Sequence, residues 1–192
     1  MLRRLYDWIM RLSESPKALW ALFLVSFAES SFFPIPPDPM LVPMVLANRR
    51  RAFTFAAVCT VASVLGGIVG YYIGYALEDL GIWILSLYGE NDGMAKFHAW
   101  YAEWGLWIIL VKGLTPIPYK FVTILSGIAN FDLKVFIAAS VVTRGARFFL
   151  VAALLYFFGE PIRAFIEKRL TLVTTLFVLL VVGGFVALKY LF

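Results

Sequence analysis

Six ionisable residues lie inside or against apolar segments of this chain: Glu29, Asp38, Lys112, Lys120, Arg144 and Arg147. A charge near a bilayer centre costs about 2.5–3.5 kcal/mol on insertion scales. Six such costs point to mutual pairing, water or a shared site. Arg144 and Arg147 stand three apart, which puts them on one face of a helix, and their place in the middle of an apolar run makes snorkelling poor. Arginine suits bidentate contact with phosphate, whereas lysine offers a flexible point charge. Two carboxylates against four cations leave +2 if all are charged, and a wet site with that excess attracts an anion. A carboxylate in a poorly solvated cavity holds its proton to higher pH, so Glu29 or Asp38 is a candidate for coupling proton movement to substrate movement. A structural alternative stands beside each role. Arg144 and Arg147 could pair with Glu29 and Asp38 simply to lock two halves together. Asp38 could cap backbone amides, and the stems of Lys112 and Lys120 could snorkel to the outer interface.

These residues gather around two proline-rich breaks. The first reads Phe33-Pro34-Ile35-Pro36-Pro37-Asp38-Pro39, and the second, 82 residues later, reads Thr115-Pro116-Ile117-Pro118-Tyr119-Lys120. The same offset aligns Ala47-Asn48 with Ala129-Asn130 and Glu78 with Glu160. Broken hydrophobic segments in matching positions of two halves point to a transport site built from an internal repeat. A break at Pro34 and Pro36, or at Pro116 and Pro118, frees backbone groups that hydrocarbon cannot satisfy. Such backbone is tolerated only when buried in protein or lining a wet cavity.

The composition sets the solvent. The chain has 192 residues, of which 62% are hydrophobic and 17% aromatic, with a mean hydropathy of +0.86. Soluble domains hold about 45–50% apolar residues, so an integral membrane protein of one domain is expected. The net charge of +5 is read as topology determinants and site residues rather than as a nucleic-acid footprint. Cys59 is the sole cysteine and His98 the sole histidine, so no disulfide, metal or other cofactor is expected. His98 reads as part of an interfacial helix. No nucleophile–base pair, phosphate loop or zinc-protease motif is present, and enzymatic activity is not expected.

Walking outward from the breaks gives the elements that must position the charges. Residues 1–17 form a basic amphipathic surface helix, and 18–48 a re-entrant hairpin whose arms fall short of the roughly 20 residues a spanning helix needs. Residues 52–77 form a span with Gly66, Gly70 and Gly74 on one face for close helix contact. Residues 94–104 form an interfacial helix, 105–130 a second re-entrant hairpin, 133–159 a second span and 170–192 a last span. The fold class is therefore an all-α integral membrane protein with two inverted repeats, each a hairpin followed by a transmembrane helix. Arg49-Arg50-Arg51 and the basic residues after 160 place the N-terminus in the cytoplasm and the C-terminus in the periplasm. No leading segment reads as a cleavable signal.

Three motifs carry a family likeness: Glu29-Ser30-Ser31-Phe32-Phe33-Pro34-Ile35-Pro36-Pro37-Asp38, Lys112-Gly113-Leu114-Thr115-Pro116-Ile117-Pro118-Tyr119-Lys120 and Arg144-Gly145-Ala146-Arg147-Phe148-Phe149. Over roughly residues 20–160 the chain resembles the DedA family, also called SNARE-associated or VTT-domain proteins, and most of all its YqaA-type branch. The resemblance implies two re-entrant hairpins in a bacterial inner membrane and transport of a lipid such as undecaprenyl phosphate or a phospholipid. It also implies that Glu29 and Asp38 stand for the essential acidic residues of the first hairpin. Lys112 and Lys120 replace two arginines around the proline of the second, a departure that bears on substrate more than on fold. The expected function is thus a flippase- or scramblase-like transporter of an anionic lipid, with the phosphate head group among Arg144, Arg147, Lys120 and Lys112, and Glu29 and Asp38 as proton-linked gates. The alternatives are a proton-coupled transporter of a small solute or ion and a non-transporting membrane scaffold. A homo-oligomer is compatible with either.

Overall fold

The computed structural model describes residues 17–33, 36–79, 93–114 and 119–168. The expected surface helix at 1–17, the last span at 170–192, and Pro34, Pro116 and Pro118 lie outside the described residues, apart from Lys17 at the edge of the first.

Every regular element among the described residues is helical. Helix α1 (Ala18–Ser31) closes with the amides of Phe32 and Phe33 both donating to the Ala28 carbonyl, and the prolines that follow cannot continue the ladder. Helix α2 (Asp38–Ala47) starts immediately after Pro37, with Pro39 in its first turn, where a missing N–H is harmless. A single 3-10 turn at Arg49–Arg51 leads into α3 (Ala52–Ala76). Helix α4 spans Gly93–Leu114, α5 Lys120–Ile128 and α6 Leu133–Lys168. Helix α5 stops at Asn130, whose φ of 53° is the left-handed conformation that ends a helix. The Asn130 and Phe131 amides then reach back to the carbonyls of Gly127 and Ser126.

Two helical stretches are long and apolar enough to cross a membrane, Arg49–Ala76 and Leu133–Ile162. They cover nearly the same residues as the stretches read as spans, 52–77 and 133–159, and α6 bends at Phe158, where the backbone leaves helical geometry. One boundary differs. The interfacial helix at 94–104 and the arm after it are one continuous helix, α4. Gly105, where the sequence reading divides them, is covered by the rings of Tyr101 and Phe131, and no proline interrupts the ladder. Two landmarks recur at the 82-residue offset. Asp38 opens α2 and Lys120, 82 residues on, opens α5; Ala76 closes α3 and Phe158, again 82 on, is where α6 bends.

Helix α3 is the central post. Its glycine face receives α1 and α5 together: a Cβ at Gly66 would strike the Phe27 carbonyl, one at Gly70 would strike Thr123 and crowd the Ser30 carbonyl, and one at Gly74 would strike the Ile124 carbonyl. Helix α5 answers with Gly127, packed on the backbone of Tyr71. Two apolar clusters result. One joins Leu22, Leu41, Met44, Phe55, Cys59 and Phe148 from α1, α2, the start of α3 and the later part of α6. The other joins Tyr71, Ile109, Tyr119, Val122 and Phe136 from the end of α3, α4, α5 and the start of α6.

Between the clusters runs a buried polar layer of Ser26, Glu29, Ser30, Ser31, Ser63, Thr123, Ser140, Thr143 and Arg144. The outer faces are the reverse, with Val61, Leu65, Val69 and Tyr72 exposed along α3 and Val142, Leu150, Leu154 and Phe157 along α6. Apolar side chains outside and polar ones within are what a hydrocarbon solvent selects, because lipid gives no hydrophobic drive inward and cannot satisfy a polar group. At one end Arg49 pairs with Glu160 at 3.3 Å and lies against Gly159. At the other, His98 Nε2 lies 2.9 Å from the Ile128 carbonyl and 3.4 Å from Glu78. His98 thus has the partners that the sequence left invisible.

Candidate functional site

Glu29 sits in the last turn of α1, just before the first break, and Arg144 near the middle of α6. Their side chains meet at 2.8 Å, Arg144 Nη2 donating to Glu29 Oε2. The other carboxylate oxygen, Oε1, accepts the backbone N–H of Tyr119 at 2.9 Å. Tyr119 is the residue immediately before α5, so Glu29 places its negative charge at the positive end of that helix and joins the two breaks through one side chain. Arg144 Nε donates to Ser63 Oγ at 2.6 Å. Ser63 and Ser30 are 2.6 Å apart, and Ser30 Oγ donates to Glu29 at 3.1 Å. Arginine only donates and carboxylate only accepts. The hydroxyl directions are therefore set: Ser63 donates to Ser30 and Ser30 to Glu29, closing a ring back to Arg144. The guanidinium is sandwiched between the rings of Tyr119 and Phe148, with centroids at 4.8 and 4.7 Å. Tyr119 is itself anchored by its hydroxyl, 2.7 Å from Ser140 Oγ. Only Arg144 Nη1 is buried without a hydrogen-bond partner among the described residues.

The second pair follows the same plan with a looser fit. Asp38, the first residue of α2, accepts from Arg147 Nη2 at 2.7 Å. Here too a carboxylate stands at a helix N-terminus and an α6 arginine covers it. The burial differs. Side-chain exposure is 0% and 3% for Arg144 and Glu29 but 16% and 21% for Arg147 and Asp38.

Lys120, at the start of α5, is half-buried and donates to the Phe32 carbonyl, just past the end of α1, at 3.3 Å. It also lies 5.5 Å from the Phe121 ring. Lys112 belongs to α4, and its side chain lies outside the description. Of the proline set, Pro36 alone is described, and it is partly buried next to the start of α2. The charge excess read from sequence is thus split: both arginines pair with carboxylates, and Lys120 of the same four has no carboxylate partner among the described residues. Ser30, Ser63, Tyr119 and Ser140 complete the site although their types did not single them out. A signal existed for Ser63, which extends the Gly66, Gly70 and Gly74 face by one helical step. Among the described residues no group of three or more His, Cys, Asp or Glu side chains could hold a metal ion.

An all-helical chain with an apolar exterior, two helices of membrane-crossing length and charged pairs in a buried polar layer is a membrane protein of transporter-like build. Residues 35–157 match the VTT domain, and the chain belongs to that family, the DedA family. It is 38% identical over 185 residues to an uncharacterised protein of Haemophilus influenzae, covering 96% of each chain. A second uncharacterised protein, from Histophilus somni, is 34% identical over 186 residues, with 96% of this chain and 97% of the relative covered. A third, from Methanocaldococcus jannaschii, is 23% identical over 101 residues, covering 53% of this chain and 61% of its own. No solved structure matches.

Proposed function

We propose that this protein moves an anionic lipid, a polyprenyl phosphate or a phospholipid, between the leaflets of a bacterial inner membrane. The observation that carries the reading is the buried polar layer, where the segments flanking both breaks and both arginines meet inside an apolar shell. In this reading α1 with α2, and α4 with α5, are re-entrant hairpins that enter from opposite faces and form inverted repeats with α3 and α6. The shared 82-residue spacing of helix starts and bends supports the repeat. Each hairpin's return arm, α2 or α5, packs on the long helix of the other half. Arg49-Arg50-Arg51 and Glu160 share the cytoplasmic end, and His98 with Glu78 the periplasmic end. Arg147 and Lys120 are the cations a head group reaches first, and Arg144 is reached once the sealed pair opens; Lys112 is proposed with them from its place in the sequence before the second break. Glu29 and Asp38 are the gates, released and re-engaged with a proton. The reading includes no catalytic step.

Reconstitution in liposomes containing a lipid phosphate scored by an externally added phosphatase or quencher tests it. Protein-dependent flipping is expected, with Arg147→Gln and Lys120→Met each lowering the rate about tenfold or more, a loss of about 1.4 kcal/mol per tenfold. Wild-type flipping in the Arg147→Gln, Lys120→Met double variant, or none in the native chain, overturns it. The burial of the Glu29–Arg144 pair favours one other reading, a scaffold in which the ion pairs are struts. That reading predicts that Glu29→Arg with Arg144→Glu restores whatever either single change removes.

A further inference from the structure

The two ion pairs have the same parts and different surroundings, and the difference separates a strut from an exchangeable contact. Glu29 accepts three hydrogen bonds, from Arg144, Ser30 and the Tyr119 amide. Its partner Arg144 also donates to Ser63 and is clamped between two rings. Removing that contact would strand groups on α1, α3, α5 and α6 at once. Arg147, by contrast, makes one hydrogen bond among the described residues, to Asp38, and has one ring neighbour, Phe148 at 5.7 Å. Among the described residues Asp38 accepts that single bond, and both side chains are partly open. A guanidinium carries five N–H donors in a fixed fork, so Arg147 keeps donor capacity that the Asp38 carboxylate does not use.

The geometry points to Asp38 as an internal stand-in for a lipid phosphate on Arg147: the carboxylate holds the guanidinium until a phosphate displaces it. This inference rests on the anionic-lipid reading above and assigns the first head-group contact to Arg147, ahead of the sealed Arg144. Displacement has a structural consequence. Asp38 is the first residue of α2, between Pro37 and Pro39, and it is the only charged residue of that helix. Once Arg147 turns to phosphate, the start of α2 loses its ion pair to α6 and is held there, among the described residues, by apolar packing alone. Asp38 stays favourably placed meanwhile, because a carboxylate at a helix N-terminus is stabilised by the helix dipole. An occupant that must be displaced lowers apparent affinity by the fraction of molecules in which the site is open. Removing the occupant therefore tightens binding.

The test uses the full chain in phosphatidylcholine nanodiscs, titrated with dioctanoyl phosphatidic acid and, separately, with inorganic phosphate. Asp38→Asn is expected to tighten phosphatidic acid binding by about threefold or more, Arg147→Gln to abolish it, and Glu29→Gln to bring no tightening. Inorganic phosphate is expected to bind at least about tenfold more weakly than the lipid phosphate, since it lacks the acyl chains; equal binding overturns the lipid source. Native binding with no tightening in Asp38→Asn overturns the exchange and leaves the transport reading standing. No binding by the native chain overturns both. Should Asp38→Asn fail to fold, amide exchange of the native chain decides: faster exchange at Met40 and Leu41 on adding phosphatidic acid supports displacement, and unchanged or slower exchange overturns it.

Discussion

Ser63 is a hydroxyl that a reader of the sequence passes over, yet it accepts a hydrogen bond from Arg144 Nε–H and donates to Ser30, which donates to Glu29. Its removal leaves a fully buried N–H without a partner, which costs about 1–3 kcal/mol. Ser63→Ala is expected to lower stability by that amount in thermal unfolding of the nanodisc-embedded protein, and an unchanged midpoint would show that Nε finds another acceptor. Deleting a charge at the sealed pair is harsher. Glu29→Leu strands Arg144 in a layer with 0% exposure of its side chain, and breaking a buried pair costs about 3–5 kcal/mol. At the partly open pair the loss is smaller, because water reaches the partner left behind. Asp38→Leu is therefore expected to unfold at a higher temperature than Glu29→Leu, and the reverse order would contradict the assignment of strut and exchangeable contact.

At the scale of elements, the glycine face of α3 sets how close α1 and α5 come, and neighbouring glycines differ sharply. Gly66 lies against the Phe27 backbone, which cannot yield, whereas a Cβ at Gly67 would meet Thr123 and Phe136 side chains at 3.4 and 3.5 Å, in ordinary contact. Gly66→Ala is expected to cost about 1–3 kcal/mol by overpacking. Gly67→Ala is expected to be neutral or to gain up to about 1 kcal/mol from helix propensity. Unfolding of the two variants side by side checks both. The spacing of the three glycines, the two proline breaks and the apolar runs were legible in the sequence because each is a local pattern with a period or a missing donor. The continuity of α4 through Gly105 was not, since a lone glycine in an apolar run ends a helix or admits a neighbouring ring, and only the packing of Tyr101 and Phe131 shows which.

For the whole molecule, the proposed topology places Arg50 and Glu160 at one membrane face and Asp132 at the other. All three are exposed, and the native Cys59 is buried. Cysteines introduced singly at these positions are expected to react with a membrane-impermeant maleimide from the cytoplasm for the first two and from the periplasm for the third. Labelling of all three from one side would rule out hairpins entering from opposite faces. The Glu29–Arg144 pair is buried, while apolar side chains such as Leu65 and Val69 of α3 and Val142 and Leu150 of α6 are exposed.

Composition, the paired Pro-Ile-Pro breaks and the six embedded charges were determined by the sequence alone, because each follows from residue type and from separation along the chain. Which carboxylate meets which arginine was decided only by the tertiary structure. Glu29 and Arg144 are 115 residues apart and Asp38 and Arg147 are 109 apart. Arg144 and Arg147 share a helix face, so their spacing fits either pairing. The choice comes from how α1 and α2 seat against α3 and α6, with the Gly66 and Gly70 contacts drawing α1 inward until Glu29 lies under Arg144 and α2 brings Asp38 to Arg147. The same packing seals one pair and leaves the other partly open, and linear spacing carries no record of burial.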